Sequence, residues 1–179
     1  MTVAVGGPPG FASLVRDIAD FPKPGVLFKD ITPLLADPVA FAEAIDALVA
    51  PYLDAHIDKV AGVEARGFLL AAPLALRLGA GLVPVRKAGK LPGEVERQEY
   101  ALEYGTDLLE VHRDGIGPGE RVLVVDDVLA TGGTAAATGH LLESLGADVV
   151  GFAFLIELAF LAGRAALAGH ETTSLIVYS

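Results

Sequence analysis

Apolar and polar residues alternate along the chain in blocks that predict β-strands and α-helices in turn. Four blocks are almost continuously apolar, as expected for buried strands, and they read KVAGV, RVLVVDD, DVVGFAFLIEL and SLIVY. Four others carry helical spacing: FASLVRDIADF, the block from Asp37 to about Leu53, GFLLAAPLALRLG, and TGGTAAATGHLLESLGA, which ends at Gly146. This order predicts an α/β fold with a central parallel sheet, whose ligands bind at the carboxyl ends of the strands.

The remaining segments carry the Pro, Gly and polar residues of loops. Residues 1–10, MTVAVGGPPG, predict an irregular leader, and FPKPGVLFKDITPLLADP predicts a structured loop with one short extended piece. The most polar segment is KLPGEVERQEYALEYGTDLLEVHRDGIGPGE, where alternation from Tyr100 to Val111 predicts short antiparallel strands in a mobile flap. A length of 179 residues predicts a single domain over residues 1–179.

Charge and composition narrow the classes of partner. The formal net charge of -10 opposes binding to nucleic acid or to an anionic membrane. There is no cysteine, the N-terminus lacks the basic start of a signal peptide, and the longest apolar run, Val149–Gly163, is short for a bilayer span and contains Glu157. We therefore expect a cytoplasmic protein that binds neither nucleic acid nor membranes.

The segment RVLVVDDVLATGGT carries the strongest chemical signal. Asp126 and Asp127 stand at the carboxyl end of a predicted buried strand, and the residues 131–134 form the turn into a helix. The N–H groups of that turn, its hydroxyls and the positive end of the helix favour a phosphate monoester. Carboxylates would repel the phosphate but can accept hydrogen bonds from a vicinal diol. A phosphorylated ribose satisfies both halves.

Three other interpretations of this segment remain open. A nucleotide hydrolase can hold magnesium with such aspartates, but the chain has no GxxxxGK[ST] loop. A receiver domain has an acidic pocket, but its acidic pair comes early in the chain and no Gly-rich turn follows. The segment can also be a helix cap and turn without a ligand.

Beyond this segment, the chain resembles a known family. VLVVDDVLATGGT is similar to the phosphoribosyl-diphosphate signature of type I phosphoribosyltransferases. The segments FPKPGVLFKDITPLL, EARGFLLAAPLA, VPVRKAGKLPG, LEYG and IEL resemble, in the same order, those of the family's adenine-specific members, over roughly residues 20–179. The resemblance implies the type I phosphoribosyltransferase fold, with a small hood and a mobile flap. It also implies purine salvage, in which adenine and 5-phosphoribosyl diphosphate give AMP and diphosphate, with Mg²⁺ and a homodimer.

The resemblance also implies roles for particular residues. It assigns the ribose hydroxyls to Asp126 and Asp127. It implies that the 5′-phosphate is bound by the loop of Ala130, Thr131, Gly132, Gly133 and Thr134. It places the diphosphate beside Arg66, Arg86, Lys87 and Lys90, of which Arg86 serves either its own site or the neighbouring subunit. It further implies a cis peptide bond between Glu64 and Ala65. A surface ion pair for Arg66 and a solvated basic turn for Arg86 and Lys90 remain alternatives.

The flap and the base complete the implied site. The resemblance implies catalytic roles for Arg66, Lys87 and Glu103. Glu103 handles the imidazole proton of the base. Tyr104 lies beside Glu103 in the flap that closes over the ligand. Leu27, Phe28, Lys29 and Leu158 line the adenine site, while magnesium is held mainly by substrate and water rather than by protein ligands.

One position bears on the choice of base. Phosphoribosyltransferases for 6-oxopurines typically carry an Asp just before the TG of the phosphate loop, where this chain has Ala130. Two rival functions remain open: an enzyme for xanthine or another purine, and a regulatory module that senses phosphoribosyl diphosphate. About twenty residues before the FPKPG segment leave little room for the DNA-binding domain of such a regulator.

Overall fold

The structure is a computed structural model that describes residues 9–101 and 106–179. The chain divides into two compact units, Met1–Ala47 and Leu48–Ser179. The larger unit contains a mixed seven-stranded sheet flanked by helices, which confirms the predicted α/β class. That residues 1–179 behave as one domain stays a prediction.

The smaller unit contains a two-stranded antiparallel ladder. Its strands are β1 (Arg16–Ala19) and β2 (Leu27–Asp30), with Arg16 opposite Asp30. A short helix α1 (Thr32–Ala36) follows, and helix α2 (Pro38–Val49) begins in this unit. The extended piece predicted within the Pro-rich loop is confirmed as β2.

The helix predicted over residues 11–21 is wrong. The chain forms only a single 3-10 segment at Gly10–Leu14 and then enters β1. Strand pairing satisfies the backbone groups of β1, and the ladder is joined by ion pairs from Arg16 to Asp30 at 2.5 Å and from Lys29 to Asp17 at 2.6 Å. A lone helix of this length is marginal in water, so these partners from β2 decide the conformation.

The sheet of the larger unit combines a parallel centre with an antiparallel hairpin. Its strands, in chain order, are β3 (Lys59–Val63), β4 (Gly81–Lys87), β5 (Val95–Ala101), β6 (Thr106–His112), β7 (Arg121–Leu129), β8 (Asp148–Leu158) and β9 (Glu171–Tyr178). Their order across the sheet is β5-β6-β4-β3-β7-β8-β9. The pairs β4-β3, β3-β7, β7-β8 and β8-β9 are parallel, whereas β5-β6 and β6-β4 are antiparallel.

The parallel centre and the hairpin both match the sequence pattern, with one omission. The alternation around Tyr100 correctly predicts the antiparallel pair, in which Tyr100 lies opposite Asp107. Strand β4 is not among the predicted strands, because Pro84 and the basic pair Arg86–Lys87 interrupt its apolar run. Helix α2 ends at Val49, four residues before the predicted end, and Pro51 lies in a 3-10 segment that follows.

Helices α3 (Gly67–Leu78) and α4 (Gly133–Ser144) cover opposite faces of the sheet. Ala61 belongs to the core cluster that includes Leu141 of α4. The next residue, Gly62, points the other way, where an added Cβ would lie 2.7 Å from Cβ of Ala71 in α3. Among the described residues, no helix is long and apolar enough to cross a membrane.

Candidate functional site

Two loops meet at the carboxyl ends of β3 and β7. The first, Glu64–Arg66, joins β3 to α3, and the second, Ala130–Gly132, joins β7 to α4. The start of α3 packs closely against the end of β7 because residue 67 is glycine: a Cβ there would lie 2.9 Å from Oδ1 of Asp126. The peptide bond between Glu64 and Ala65 is cis, as the resemblance implies.

Asp126 and Asp127 lie at the end of β7 in a poorly hydrated position. Asp127 is buried and Asp126 half-buried, and Asp126 accepts a hydrogen bond of 2.8 Å from the backbone N–H of Asp127. Removal from water raises the pKa of both carboxyl groups, and the neighbouring charge of Asp127 raises that of Asp126 further. Two adjacent carboxylates in such a place are costly to ionise unless donors or a cation compensate.

Arg66 supplies part of that compensation. Its Nε lies 2.8 Å from Oδ2 of Asp127, and its charge opposes the rise in the pKa of that carboxyl. The contact is one of charge, since this buried oxygen accepts no well-aligned hydrogen bond within the described part of the chain. Oδ2 of Asp127 is therefore a buried acceptor that can take a hydrogen bond from a hydroxyl group of a ligand.

The second loop has the backbone of an anion site. Gly132 adopts φ 82° and ψ -5°, a left-handed conformation that suits glycine, and caps α4. Residues 128–135, together with Asp126 and Phe154, line one small open pocket. Thr131 is exposed and Thr134 half-buried, so both hydroxyls can reach a ligand there. Asp126 and the loop therefore border the same space, as the sequence predicts.

The predicted basic cluster spans the end of β4 and the turn after it, and carboxylates hold it in place. Arg86 donates from Nε and Nη2 to Glu64 at 3.1 and 3.2 Å, and the backbone N–H of Lys87 donates to Glu64 at 3.1 Å. Hydrogen bonds from Arg86 lower the pKa of Glu64. Nζ of Lys87 lies 3.1 Å from Oδ2 of Asp107, which raises the pKa of Lys87. Arg86 is thus bound to the same loop that carries Arg66.

Glu110 organises the turn that carries Lys90, and the sequence patterns do not identify it. It is fully buried, and its Oε1 accepts from the N–H groups of Lys90 at 2.9 Å and Leu91 at 2.8 Å. Nε of Arg97 lies 3.4 Å from Oε2. Burial would raise the pKa of Glu110, but these backbone donors outweigh it and the pKa is lowered. The only sequence signal is a Glu between two buried apolar residues of a strand, Leu109 and Val111.

The other predicted site residues belong to other elements or lie outside the described residues. Leu27, Phe28 and Lys29 form part of β2 in the smaller unit, where Phe28 stacks edge-on against Phe21. Leu158 ends β8 in the larger unit. Glu103 and Tyr104 lie outside the described residues. The described part of the chain contains no group of three or more His, Asp or Glu residues able to hold a metal ion.

Comparisons with known proteins agree with this geometry. The family model described as the phosphoribosyl transferase domain matches residues 34–171. An adenine phosphoribosyltransferase of Solibacter usitatus is 57% identical over 170 residues, which cover 95% of this chain and 98% of that protein.

Solved structures give the same result. The crystal structure of an adenine phosphoribosyltransferase from Rhodothermus marinus has a TM-score of 0.91 and 51% identity, covering 94% of this chain and 96% of that one. The enzyme of Saccharomyces cerevisiae, complexed with an imino-altritol bisphosphate and adenine, has a TM-score of 0.88 and 43% identity, covering 92% and 96%.

Proposed function

The chain belongs to the phosphoribosyl transferase family, and on that premise we propose that it transfers the 5-phosphoribosyl group from phosphoribosyl diphosphate to adenine, giving AMP and diphosphate. One observation carries the proposal: the half-buried carboxylate of Asp126 borders the same pocket as a glycine-capped helix N-terminus, and Arg66 pairs with the buried carboxylate of Asp127 next to it. A sugar diol and a phosphate monoester on one ligand suit that combination.

The phosphate end of the site is the loop Ala130–Thr134. Its N–H groups and the N-terminus of α4 bind the 5′-phosphate, aided by the hydroxyls of Thr131 and Thr134. Gly132 and Gly133 keep side chains out of the way, so the backbone approaches the anion directly.

The ribose end is the carboxylate pair. Asp126 and Asp127 accept hydrogen bonds from the two ribose hydroxyls, which supply the donors that Oδ2 of Asp127 lacks. Mg²⁺ would be held mainly by substrate phosphates and water, since the described residues offer no group of three or more metal ligands. When bound, the ion neutralises charge that develops on the departing diphosphate.

The diphosphate end uses the basic residues around the first loop. Arg66 and Lys87 bind the leaving group, with Lys90 and Arg86 nearby, and their charge stabilises the diphosphate as the bond to C1 of the ribose breaks. The binding of Arg86 to Glu64 supports this grouping, since it ties the basic turn to the loop of Arg66.

The base end rests on the family resemblance. Leu158 and the segment Leu27–Lys29 contact adenine, and Glu103 handles the proton on its imidazole ring. Tyr104 belongs to the flap, which excludes water from the reacting carbon. Ala130 stands where an acidic residue would favour a 6-oxopurine, so adenine is the preferred base.

We place the enzyme in purine salvage, in the cytoplasm and as a homodimer. The absence of cysteine agrees with a reducing compartment. Leu69 and Leu76 lie two turns apart on one face of helix α3 and are 49% and 85% exposed, so they offer an apolar strip that a second copy would cover.

The choice of base is tested by comparing four purines as substrates. Adenine, guanine, hypoxanthine and xanthine are offered singly with phosphoribosyl diphosphate and magnesium, and kcat/KM is measured from the nucleotide formed. We expect adenine to exceed each oxopurine by about 100-fold or more, because mismatched polar groups in a base site cost several kcal/mol. A preference for xanthine or guanine would contradict the assignment of Ala130.

A further inference from the structure

The phosphate loop packs by its backbone against a turn far away in sequence, Gly163–Leu167. A Cβ on Gly163 would collide with the carbonyl oxygen of Ala130, and one on Gly132 would collide with the carbonyl oxygen of Gly163. A Cβ on Gly132 would also lie 2.9 Å from Cβ of Ala166. Both segments therefore need glycine at the point where they meet, and the turn forms a rigid support behind the loop.

Arg164 ties this turn to the sheet. Its Nε lies 2.8 and 3.0 Å from the two carboxylate oxygens of Glu157, and its Nη2 donates to Glu157 at 2.7 Å. Its Nη1 donates to the backbone carbonyl of Thr172 at 2.8 Å. The Arg164 side chain is 47% exposed and that of Glu157 7% exposed, so removing Arg164 would leave a buried carboxylate without its main partner.

Glu157 lies directly beside the start of the phosphate loop. It sits opposite Leu129, the last residue of β7, in the parallel pairing of β7 and β8. Burial would raise the pKa of Glu157, but hydrogen bonds from Arg164 and Ser174 outweigh it, and the pKa is lowered. Glu157 therefore stays ionised and keeps the bidentate contact at neutral pH.

We propose that Gly163, Arg164 and Glu157 are positioning residues for phosphate binding, which hold the turn against the loop so that its N–H groups converge on one anion. The inference rests on the proposed function, since it concerns the same 5′-phosphate site. Arg164 acts through the turn, because its Nε, Nη1 and Nη2 groups already donate to Glu157 and Thr172. A displacement of about 1 Å in such a site costs about 100-fold in the function it serves.

The test compares ligands that differ only in the phosphate. Dissociation constants for AMP and adenosine are measured by calorimetry on wild type, Gly163→Ala and Arg164→Lys, and inorganic phosphate serves as a third probe. We expect each variant to weaken AMP and inorganic phosphate by about tenfold or more while adenosine changes less than about twofold. A general loss of structure would weaken all ligands together.

Matched controls come from the opposite end of β7, at its first residue and in the loop before it. Gly117→Ala places a Cβ in ordinary contact with Glu120, 3.5 Å away, and Arg121→Lys alters an arginine that likewise joins a carboxylate, Asp148 at 2.7 Å, and a backbone carbonyl, that of Ala55 at 3.0 Å. Both controls are expected to bind AMP like wild type. If Gly163→Ala fails to fold, Arg164→Lys and Glu157→Gln carry the test.

The outcomes separate this inference from the proposed function. Equal AMP affinity in wild type and in folded Arg164→Lys would overturn the positioning role while AMP synthesis stands. A wild type that binds AMP through the loop but makes none from adenine would remove the proposed function and leave the positioning role intact. Equal weakening of AMP and adenosine would also overturn the inference, because it would indicate a purely structural role.

Discussion

At the scale of single residues, Asp126 and Asp127 show a conflict between stability and function. Both carboxyl groups have raised pKa values because they are removed from water, and Asp126 also faces the charge of Asp127. The folded state therefore binds protons here more tightly than the unfolded chain does. The site keeps two unfavourable charges that a ribose and a cation would compensate.

Asp126→Asn makes that conflict measurable. In wild type the pair favours the folded state fully below the unfolded pKa of about 3.8, and this contribution is lost as pH rises through the raised folded pKa. Asparagine at position 126 has no carboxyl group to titrate, but its Oδ1 can still accept the hydrogen bond from the N–H of Asp127. We expect the melting temperature of the variant, relative to wild type, to increase between pH 4.5 and pH 8.

The same variant should lose ligand affinity. Replacing a charged acceptor costs about 1.5–3 kcal/mol for a hydrogen bond, or roughly 10- to 100-fold in the dissociation constant for phosphoribosyl diphosphate. A variant that is destabilised at pH 8 would contradict the cost of ionising the pair, and one that binds phosphoribosyl diphosphate as tightly as wild type would remove Asp126 from the ribose role.

At the scale of elements, the turn after β4 depends on a carboxylate from β6. Glu110 accepts the N–H groups of Lys90 and Leu91, and it shapes the segment that presents the basic cluster. Because its pKa is lowered in the folded state, its contribution to stability is present above the unfolded pKa of about 4.5 and is lost as pH falls through the lower folded value.

Glu110→Gln should therefore weaken both the fold and the diphosphate end of the site. Glutamine keeps one acceptor oxygen but loses the charge that strengthens these hydrogen bonds, at a cost of about 1.5–3 kcal/mol, which chemical denaturation at pH 7 measures. Affinity for diphosphate should fall more than affinity for AMP. Arg97→Gln is the control, since the Arg97 side chain is 58% exposed and its 3.4 Å contact with Glu110 is worth at most about 1 kcal/mol. Equal effects of the two variants would contradict a special role for Glu110.

The elements also show what the sequence can predict. The strand of Asp126, the loop that follows it and helix α4 are local features, so their residue order is sufficient. The prediction for segment 11–21 is wrong, because the conformation of this segment depends on pairing with β2. Glu110, Gly163 and Arg164 escape prediction for the same reason: their partners lie at Lys90, Ala130 and Thr172, and no short motif records such contacts.

At the scale of the whole molecule, the family assignment and the site chemistry agree while resting on separate observations. Similarity covers 95% of the chain in one curated relative, whereas the pocket beside Asp126 follows from its own residues. We propose that residues 1–179 form one domain that acts within a homodimer. The acidic surface, at net charge -10, makes the basic cluster the natural place for an anionic leaving group.

The most direct test of the central claim is the stoichiometry of products. Purified protein is mixed with adenine, phosphoribosyl diphosphate and magnesium, and AMP and diphosphate are quantified together over time. We expect equal amounts of AMP and diphosphate, with neither formed when adenine or phosphoribosyl diphosphate is omitted. Diphosphate released without AMP, or no AMP at all from adenine, would contradict the proposed transfer.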